Sequence, residues 1–256
     1  MFCPYCGKSL QDAEQIGCGR YRFPPDFKLS VVMPVFNEVA TIDTVLQRVL
    51  DVPIDKEVIV VDDGSTDGTT KKLTAWTDHP NVVVLRHERN RGKGAALRTA
   101  FAEAKGDVIV IQDADLEYDP QEYLRLVAPI AEGTADVVYG SRFIAAGPHR
   151  VLYFWHYVAN RIITTVSNMF TDLNLTDVET CHKAFRREVV ADILPTLKEN
   201  RFGIEIELTA KIARRGCRIY EMGISYHGRT YQQGKKIGAG DAIQAMWCIV
   251  RYALRD

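Results

Sequence analysis

The sequence has no long apolar run. Its 256 residues contain no stretch that approaches the roughly twenty consecutive apolar residues a membrane-spanning helix needs. No charged start followed by an apolar core indicates a secretory signal either. We therefore expect a cytoplasmic protein that does not span a membrane.

Cysteine is scarce, and half of it lies at the start of the chain. The three scattered cysteines are expected to be small buried residues, not disulfide partners: Cys181, Cys217 and Cys248. Cys3-Pro-Tyr-Cys6-Gly matches the turn of a zinc knuckle, in which two thiolates supply half of a tetrahedral site. Only Cys18 follows nearby. The segment therefore predicts either a Zn²⁺ site completed from elsewhere or a degenerate zinc ribbon that binds no metal.

Net charge is also nearly absent, at −1, but the charges are unevenly distributed. Residues 1–139 carry 15 lysines and arginines against 22 acids, whereas residues 140–256 carry 17 against 11. The first part therefore suits a cation and the second an anion, although a basic half can also be simply a solvated surface. No nucleic acid is expected as a partner.

Short β-branched runs alternate with helical patterns after the Pro24-Pro25 linker. The predicted strands are 29–35, 57–62, 81–85, 107–112 and 136–139, and the predicted helices are 41–50, 69–76, 95–104 and 120–131. This alternation predicts an α/β fold with a mainly parallel sheet covered by helices. The Gly-x-Gly-x-x-Gly motif of dinucleotide-binding oxidoreductases is missing after the first strand, which argues against that class.

Two acidic clusters follow predicted strands, in Val60–Thr69 and in Gln112–Glu117. Ligands of open α/β sheets bind at the carboxyl ends of the strands, so acids there are placed to bind a ribose and a metal carrying a diphosphate. Alternation along an extended segment puts Asp113 and Asp115 on one side, with Glu117 a further step along. All-oxygen ligands suit Mg²⁺ or Mn²⁺.

Two basic features accompany the acids. Asn90-Arg-Gly-Lys93-Gly opens a predicted helix, where backbone N–H groups and Lys93 can approach an anion. Arg142 follows the last of these strands, and its guanidinium matches the oxygens of a phosphate.

Five motifs resemble, in type and order, those of the inverting glycosyltransferase family two, closest to its polyprenyl-phosphate branch of dolichyl-phosphate mannose and glucose synthases. They are Val32-Met-Pro-Val-Phe-Asn-Glu38, Val61-Asp-Asp-Gly-Ser-Thr-Asp-Gly-Thr69, Asn90-Arg-Gly-Lys-Gly94, Asp113-Ala-Asp115 and Gly140-Ser-Arg142. The resemblance implies a Rossmann-like sheet of the nucleotide-diphospho-sugar transferase (GT-A) type over residues 29–256. Residues 29–140 would form the nucleotide-sugar half and residues 141–256 the acceptor half, preceded by a zinc-ribbon-like segment (1–23) and a linker (24–28).

The resemblance also implies a set of site residues. Those implied for the nucleotide are Pro34, Phe36, Glu38, Val61, Asp63, Lys93, Asp113, Ala114 and Asp115. Those implied for Mg²⁺ or Mn²⁺ are Asp113, Asp115 and Glu117. Those implied for the acceptor phosphate are Ser141, Arg142, Arg186, Arg229 and one or both of Lys235 and Lys236, while Asp113, Asp115 and Arg142 carry catalysis. A surface ion pair accounts equally well for Arg186, and helix capping is an alternative for Glu38.

The function implied is transfer of a sugar from GDP-mannose, UDP-glucose or UDP-GlcNAc to a polyprenyl phosphate, with inversion. A lipid phosphate is already anionic near neutral pH, so no general base is needed. One alternative is a soluble glycan or polysaccharide acceptor, which would require a base such as Glu179. A non-enzymatic alternative is a nucleotide-sugar-binding or zinc-ribbon interaction protein.

A lipid acceptor requires contact with a membrane surface. Residues 150–170 combine aromatic and aliphatic residues with spaced polar ones, as an interfacial helix does, although core packing would give the same pattern. Residues 242–254 are a second apolar segment. We expect peripheral association with the cytoplasmic face of a membrane, through anionic headgroups or a membrane-protein partner.

Overall fold

A computed structural model of the chain describes residue 21 and residues 23–144, 150–151, 153–229 and 239–254. Within these residues, seven strands form one sheet. They are β1 (Leu29–Val35), β2 (Lys56–Asp62), β3 (Val82–Arg86), β4 (Val108–Ile111), β5 (Val137–Ser141), β6 (Lys183–Arg186) and β7 (Ile219–Gly223). Their order across the sheet is β3-β2-β1-β4-β6-β5-β7.

Helices connect and cover the strands. They are α1 (Ile42–Leu50), α2 (Thr69–Thr74), α3 (Lys93–Glu103), α4 (Tyr123–Ala131), α5 (Phe154–Thr171), α6 (Arg187–Ile193), α7 (Ile204–Arg214) and α8 (Ala239–Leu254). A 3₁₀ turn, Pro120–Glu122, precedes α4. The five predicted strands and four predicted helices are therefore confirmed, with small shifts at their ends.

The sheet core follows from the composition of its strands. All four residues of β4 are buried, and β1 is buried along almost its whole length, as expected of strands covered on both faces. In α1, the apolar residues recur at helical spacing and face this core: Ile42, Val45, Leu46 and Val49. One continuous core includes residues on both sides of position 140, such as Val110 and Phe185. The two predicted halves therefore share a folding unit.

Strand β6 departs from the parallel pattern. It lies between β4 and β5 and is antiparallel to both, with Val110 opposite Ala184 and Tyr139 opposite Lys183. Because an antiparallel strand begins where its neighbours end, residues 177–182 lie at the carboxyl ends of β4 and β5. This insertion brings a loop from late in the sequence to the predicted binding edge.

A second apolar cluster joins α5, α7 and α8, and it includes Ile163, Ile206 and Ile249. The outward faces of α5 and α8 carry large exposed side chains, among them Trp155 and Trp247. Among the helices of the described ranges, none is both long enough and apolar enough to cross a bilayer.

Several predicted residues lie outside the described residues. They are Cys3, Cys6 and Cys18 of the zinc-ribbon-like segment, and Lys235 and Lys236. Their roles stay predictions.

Candidate functional site

The site lies along the carboxyl edge of the sheet, where segments from several strands meet. Pro34 lies opposite Val61 in the register of β1 and β2. The side chain of Val61 is fully buried in the core, so only its backbone faces this edge. Phe36 and Glu38 follow β1 and are partly exposed there.

Asp63 fixes the loop that leads into α3. Its carboxylate accepts hydrogen bonds from the backbone N–H groups of Arg91 (3.0 Å) and Gly92 (2.7 Å), and His87 Nδ1 lies 2.6 Å away. Only 3% of the residue is exposed. In this structure Asp63 therefore supports the loop, and its contact with a base stays a prediction.

Gly64 lets the same loop approach closely. Its φ of +73° lies in the left-handed region, and a Cβ there would stand 2.6 Å from the backbone carbon of Arg89. Glycine thus meets two requirements at this position, the backbone conformation and the close approach.

Lys93, the first residue of α3, neutralises Asp113. Its Nζ lies 2.9 Å from Asp113 Oδ1 and 3.1 Å from Glu205 Oε1, and Glu205 also pairs with the buried Lys183. Burial on its own would raise the pKa of Asp113, but the charge and hydrogen bond of Lys93 bring it below the usual range. Lys93 therefore serves here as a counter-ion to carboxylates.

Asp115 and Glu117 lie on a bend, not on the extended segment that we predicted. The backbone N–H of Glu117 donates to Asp115 Oδ1 at 3.1 Å, which tightens the bend. Burial, followed by repulsion from Asp113 and Glu117, raises the pKa of Asp115 to about 7, although Arg229 opposes the shift. Asp113 and Asp115 thus have different partners. The residue between them, Ala114, is buried, and its carbonyl accepts from Thr41 Oγ1.

A segment after β7 crosses the acidic cluster. Tyr118 and Tyr226 form an isolated antiparallel bridge, and Tyr226 Oη donates to Glu117 Oε2 at 2.8 Å. The Arg229 guanidinium reaches Asp115 Oδ2 at 2.5 Å and Glu38 Oε1 at 3.3 Å. The structure therefore places Arg229, predicted for the acceptor, beside the predicted donor carboxylates.

Arg142 also contacts Tyr226, and Asp177 holds it there. Two of its guanidinium nitrogens lie 2.7 Å from the two oxygens of Asp177, and its Cζ lies 5.3 Å from the centre of the Tyr226 ring. Burial would lower the pKa of Arg142, but Asp177 raises it above the usual value, so the side chain stays charged. Ser141 bonds Thr176 at 2.6 Å and shapes the turn before Arg142.

Arg186 is the one described acceptor candidate that the structure does not bring to this edge. It ends β6 opposite Val108, the first residue of β4, and so lies at the other edge of the sheet. Its guanidinium pairs with Asp136 at 3.6 Å. The surface ion pair is therefore the better account of Arg186, and its assignment to the acceptor phosphate is corrected. The reason is the antiparallel direction of β6, which puts the end of this strand far from Arg142.

Four residues of the site have structural roles that sequence reasoning missed: His87, Asp177, Glu205 and Tyr226. Asp177 precedes β6. The sequence shows that it is an acid, but nothing in the sequence showed that the direction of β6 would bring it to Arg142.

Glu179 lies in the same loop. Among the described residues, its buried Oε1 has no hydrogen-bond partner. Burial and the neighbouring Glu205 raise its pKa to about 7.

No group of three or more histidine, cysteine, aspartate or glutamate side chains in the described ranges is arranged to hold a metal ion. The chemistry of the donors at Asp115 and Glu117 nevertheless suits a hard cation. Mg²⁺ is commonly bound by one or two carboxylates together with substrate phosphates. The two residues therefore fit a metal that arrives with a nucleotide, whereas Asp113 is paired with Lys93 in this structure. The metal roles of Asp113, Asp115 and Glu117 all stay predictions.

Comparisons with known proteins identify the family of this chain. The model of the glycosyl transferase family 2 matches residues 30–194. Undecaprenyl-phosphate mannosyltransferase from Micrococcus luteus is 30% identical over 84% of this chain and 91% of that protein. Undecaprenyl-phosphate 4-deoxy-4-formamido-L-arabinose transferase from Yersinia enterocolitica is 32% identical over 68% of this chain and 54% of that protein.

A solved structure shares the fold. Glucosyl-3-phosphoglycerate synthase from Mycobacterium tuberculosis, in complex with Mn²⁺, UDP and glucosyl-3-phosphoglycerate, has a TM-score of 0.69 and 22% identity. The match covers 98% of this chain and 86% of that chain. The predicted GT-A type of α/β fold is therefore confirmed.

Proposed function

The chain belongs to glycosyl transferase family 2, and from that premise we propose that it transfers a sugar from a nucleotide-sugar to a polyprenyl phosphate, with inversion. Two relatives that differ in their sugar are both named for undecaprenyl phosphate, which supports this class of acceptor. GDP-mannose, UDP-glucose and UDP-GlcNAc are the donors to test, and the mannosyl relative puts GDP-mannose first.

The observation that carries the proposal is that Tyr226 contacts groups of opposite charge, an acidic cluster and an arginine. Its hydroxyl binds Glu117 of the acidic cluster, and its ring packs against the charged Arg142. A donor diphosphate with its cation fits the acidic side, and a second phosphate fits Arg142. Two anions could thus be held next to each other, as transfer between them requires.

The nucleotide-sugar donor would be bound by the residues that follow β1 and β4. Asp115 and Glu117 would hold Mg²⁺ or Mn²⁺, and Mn²⁺ accompanies UDP in the structural neighbour. A divalent cation bound there would neutralise the charge on the leaving diphosphate. Asp63 keeps the loop before α3 in place, and Lys93 offsets the charge of Asp113.

The acceptor side needs no proton transfer. A phosphate monoester has its second pKa near about 6, so the attacking oxygen is already anionic at neutral pH. That oxygen attacks the anomeric carbon opposite the diphosphate, the new glycosidic bond forms as the bond to the diphosphate breaks, and the configuration inverts. Arg142, aligned by Asp177, would orient the attacking phosphate and offset its charge.

Contact with a membrane surface would come from α5 and α8. Trp155 and Trp247 are 76% and 65% exposed, and the two helices that carry them pack on the same apolar cluster. Exposed aromatic residues of this kind favour the interfacial layer of a bilayer. We propose peripheral association with the cytoplasmic face, directly or with a membrane-protein partner.

Glu179 supports a second candidate function. A hydroxyl acceptor on a soluble glycan would require a base, and a carboxyl group with a pKa of about 7 and one oxygen without a hydrogen-bond partner among the described residues suits that role. It interacts electrostatically with Arg142, which supports a role near the proposed acceptor position.

A transfer assay separates the candidates. The protein is incubated with each donor, Mg²⁺ or Mn²⁺, and one of three acceptors: a short polyprenyl phosphate, the matching polyprenol or a soluble oligosaccharide. We expect a glycolipid from the phosphate alone, with Asp115→Asn reducing turnover at least about a hundredfold. Arg218→Gln is the control, because Arg218 pairs with Asp136 away from the site. Product from the oligosaccharide instead, lost in Glu179→Gln, would favour the second candidate, and no product from any donor would refute both.

A further inference from the structure

Arg229 is the point at which three carboxylates from separate parts of the chain converge. Its Nη2 lies 2.5 Å from Asp115 Oδ2, its Nε 3.3 Å from Glu117 Oε1 and its Nη1 3.3 Å from Glu38 Oε1. All three nitrogens of the guanidinium are therefore used. The position where carboxylate oxygens converge is also the position that a hard divalent cation would take.

The backbone around Arg229 holds it there. The N–H of Arg229 donates to Glu117 Oε1 at 2.7 Å, and the N–H of His227 donates to the Glu117 carbonyl at 2.8 Å. Arg150 Nη1 donates to the carbonyl of Gly228 at 2.9 Å. These bonds fix the segment 226–229 over the acidic cluster, so the contact does not depend on the long side chain alone.

Several carboxylates share this guanidinium. Among the described residues, three carboxylates, each about a tenth exposed, contact it, and burial makes negative charge costly unless it is compensated. A divalent cation would match the cluster better, yet the guanidinium and the cation cannot both contact Asp115 and Glu117 at the same position.

We propose that Arg229 is a built-in counter-ion that occupies the cation position in the donor-free protein and competes with a divalent metal for Asp115 and Glu117. The proposal rests on the donor site of the proposed function and adds an order of events to it. Metal would bind weakly on its own and more tightly with a nucleotide diphosphate, whose oxygens add ligands. The displaced guanidinium would then be available to the second phosphate near Arg142.

Metal affinity in the absence of nucleotide tests the proposal. Free Mn²⁺ is titrated into the full chain at pH 8 and followed by the electron paramagnetic resonance signal of the unbound ion. We expect Arg229→Gln to bind Mn²⁺ about tenfold or more tightly than the wild type, because hydrogen bonds to a charged partner no longer have to be broken. Arg218→Gln, which removes a guanidinium elsewhere, should bind as the wild type does.

Further variants tie any gain to this site. Asp115→Asn combined with Arg229→Gln should lose the gain, and Arg229→Lys, which keeps the charge with fewer donors, should bind with intermediate affinity. If Arg229→Gln does not fold by circular dichroism, the Lys variant alone decides. The proposal would be overturned if Arg229→Gln bound Mn²⁺ with an affinity within twofold of the wild type. It would also be overturned if the gain in affinity survived the addition of Asp115→Asn. Wild-type sugar transfer is measured separately, so this inference can fail while the proposed function stands, and the reverse.

Discussion

Lys93 and Asp113 form an ion pair of 2.9 Å that joins the start of α3 to the segment after β4. Lys93 also forms an ion pair with Glu205 on α7, and Glu205 pairs with Lys183 at the start of β6. Charges of alternating sign thus connect four elements beneath the site. Each member neutralises its neighbours, so the loss of one would leave another buried and uncompensated.

Replacing Lys93 should therefore cost stability. Lys93→Met leaves Asp113 and Glu205 facing each other without a cation between them, and we expect a loss of roughly 3–5 kcal/mol in the free energy of unfolding. Urea denaturation measures it. Lys72→Met is the matched control, since Lys72 pairs with Asp43 at the surface and its loss should cost about 1 kcal/mol or less. Equal losses in the two variants would show that the buried chain of charges contributes nothing particular.

Stability should fall with pH because of Glu179. Its pKa in the folded protein, about 7, is above the ordinary value of 4.5, so the folded state holds the proton more tightly than the unfolded state. The stabilising contribution is complete below about 4.5 and is lost as pH rises through about 7. Glu179→Gln removes this loss, so at pH 8 the variant should be more stable than the wild type by roughly 1–3 kcal/mol. Denaturation curves at pH 5 and pH 8 measure the difference, and an unchanged pH dependence in the variant would contradict the assignment.

Gly94 should not tolerate a side chain. A Cβ at this position in α3 would stand 2.3 Å from the carbonyl oxygen of Glu199, a backbone atom that cannot easily move. We expect Gly94→Ala to lower the free energy of unfolding by roughly 2 kcal/mol or more, despite the better helix propensity of alanine. Gly240→Ala in α8 is the control, because a Cβ there meets no atom of the described residues within 4 Å and should be neutral or stabilising. A neutral Gly94→Ala variant in the same thermal melts would mean that α3 can move away from this loop.

Vesicle binding should depend on the two exposed tryptophans. Replacing Trp155 and Trp247 together with serine removes aromatic area that would lie in the bilayer interface, and we expect binding to vesicles containing anionic lipid to weaken by roughly tenfold or more. Tyr220→Ser, at an exposed position of β7, is the control. Co-sedimentation with vesicles measures the effect. Unchanged binding of the double variant, or equal weakening in the control, would indicate that α5 and α8 do not form the contact.

The sequence was sufficient for the elements whose signals are local. Apolar runs predicted β1 and β4, and the acids that follow β2 and β4 indicated the binding edge, because carboxyl ends of parallel strands meet. The helix predicted over 95–104 is also present, although it begins two residues earlier, at Lys93. These inferences need only the neighbouring residues.

The sequence did not predict which distant segments would pair with one another. Nothing local shows that β6 is antiparallel, and this direction alone brings Asp177 to Arg142 and takes Arg186 to the opposite edge. Likewise, Lys93 was predicted to face an anion of the substrate, whereas its partners are Asp113 and Glu205. The identity of a charged residue predicts the sign of its partner, but only the fold decides which partner it meets.

The position of β6 also has a consequence for synthesis of the chain. β4 and β5 leave the ribosome before the strand that joins them, so each carries an open edge until Lys183–Arg186 has emerged. Unpaired edges of buried, apolar strands are prone to join with other chains. The nascent protein therefore passes through a period in which its central sheet is divided and vulnerable to aggregation, and that period ends only when the segment carrying Asp177 and Lys183 is made.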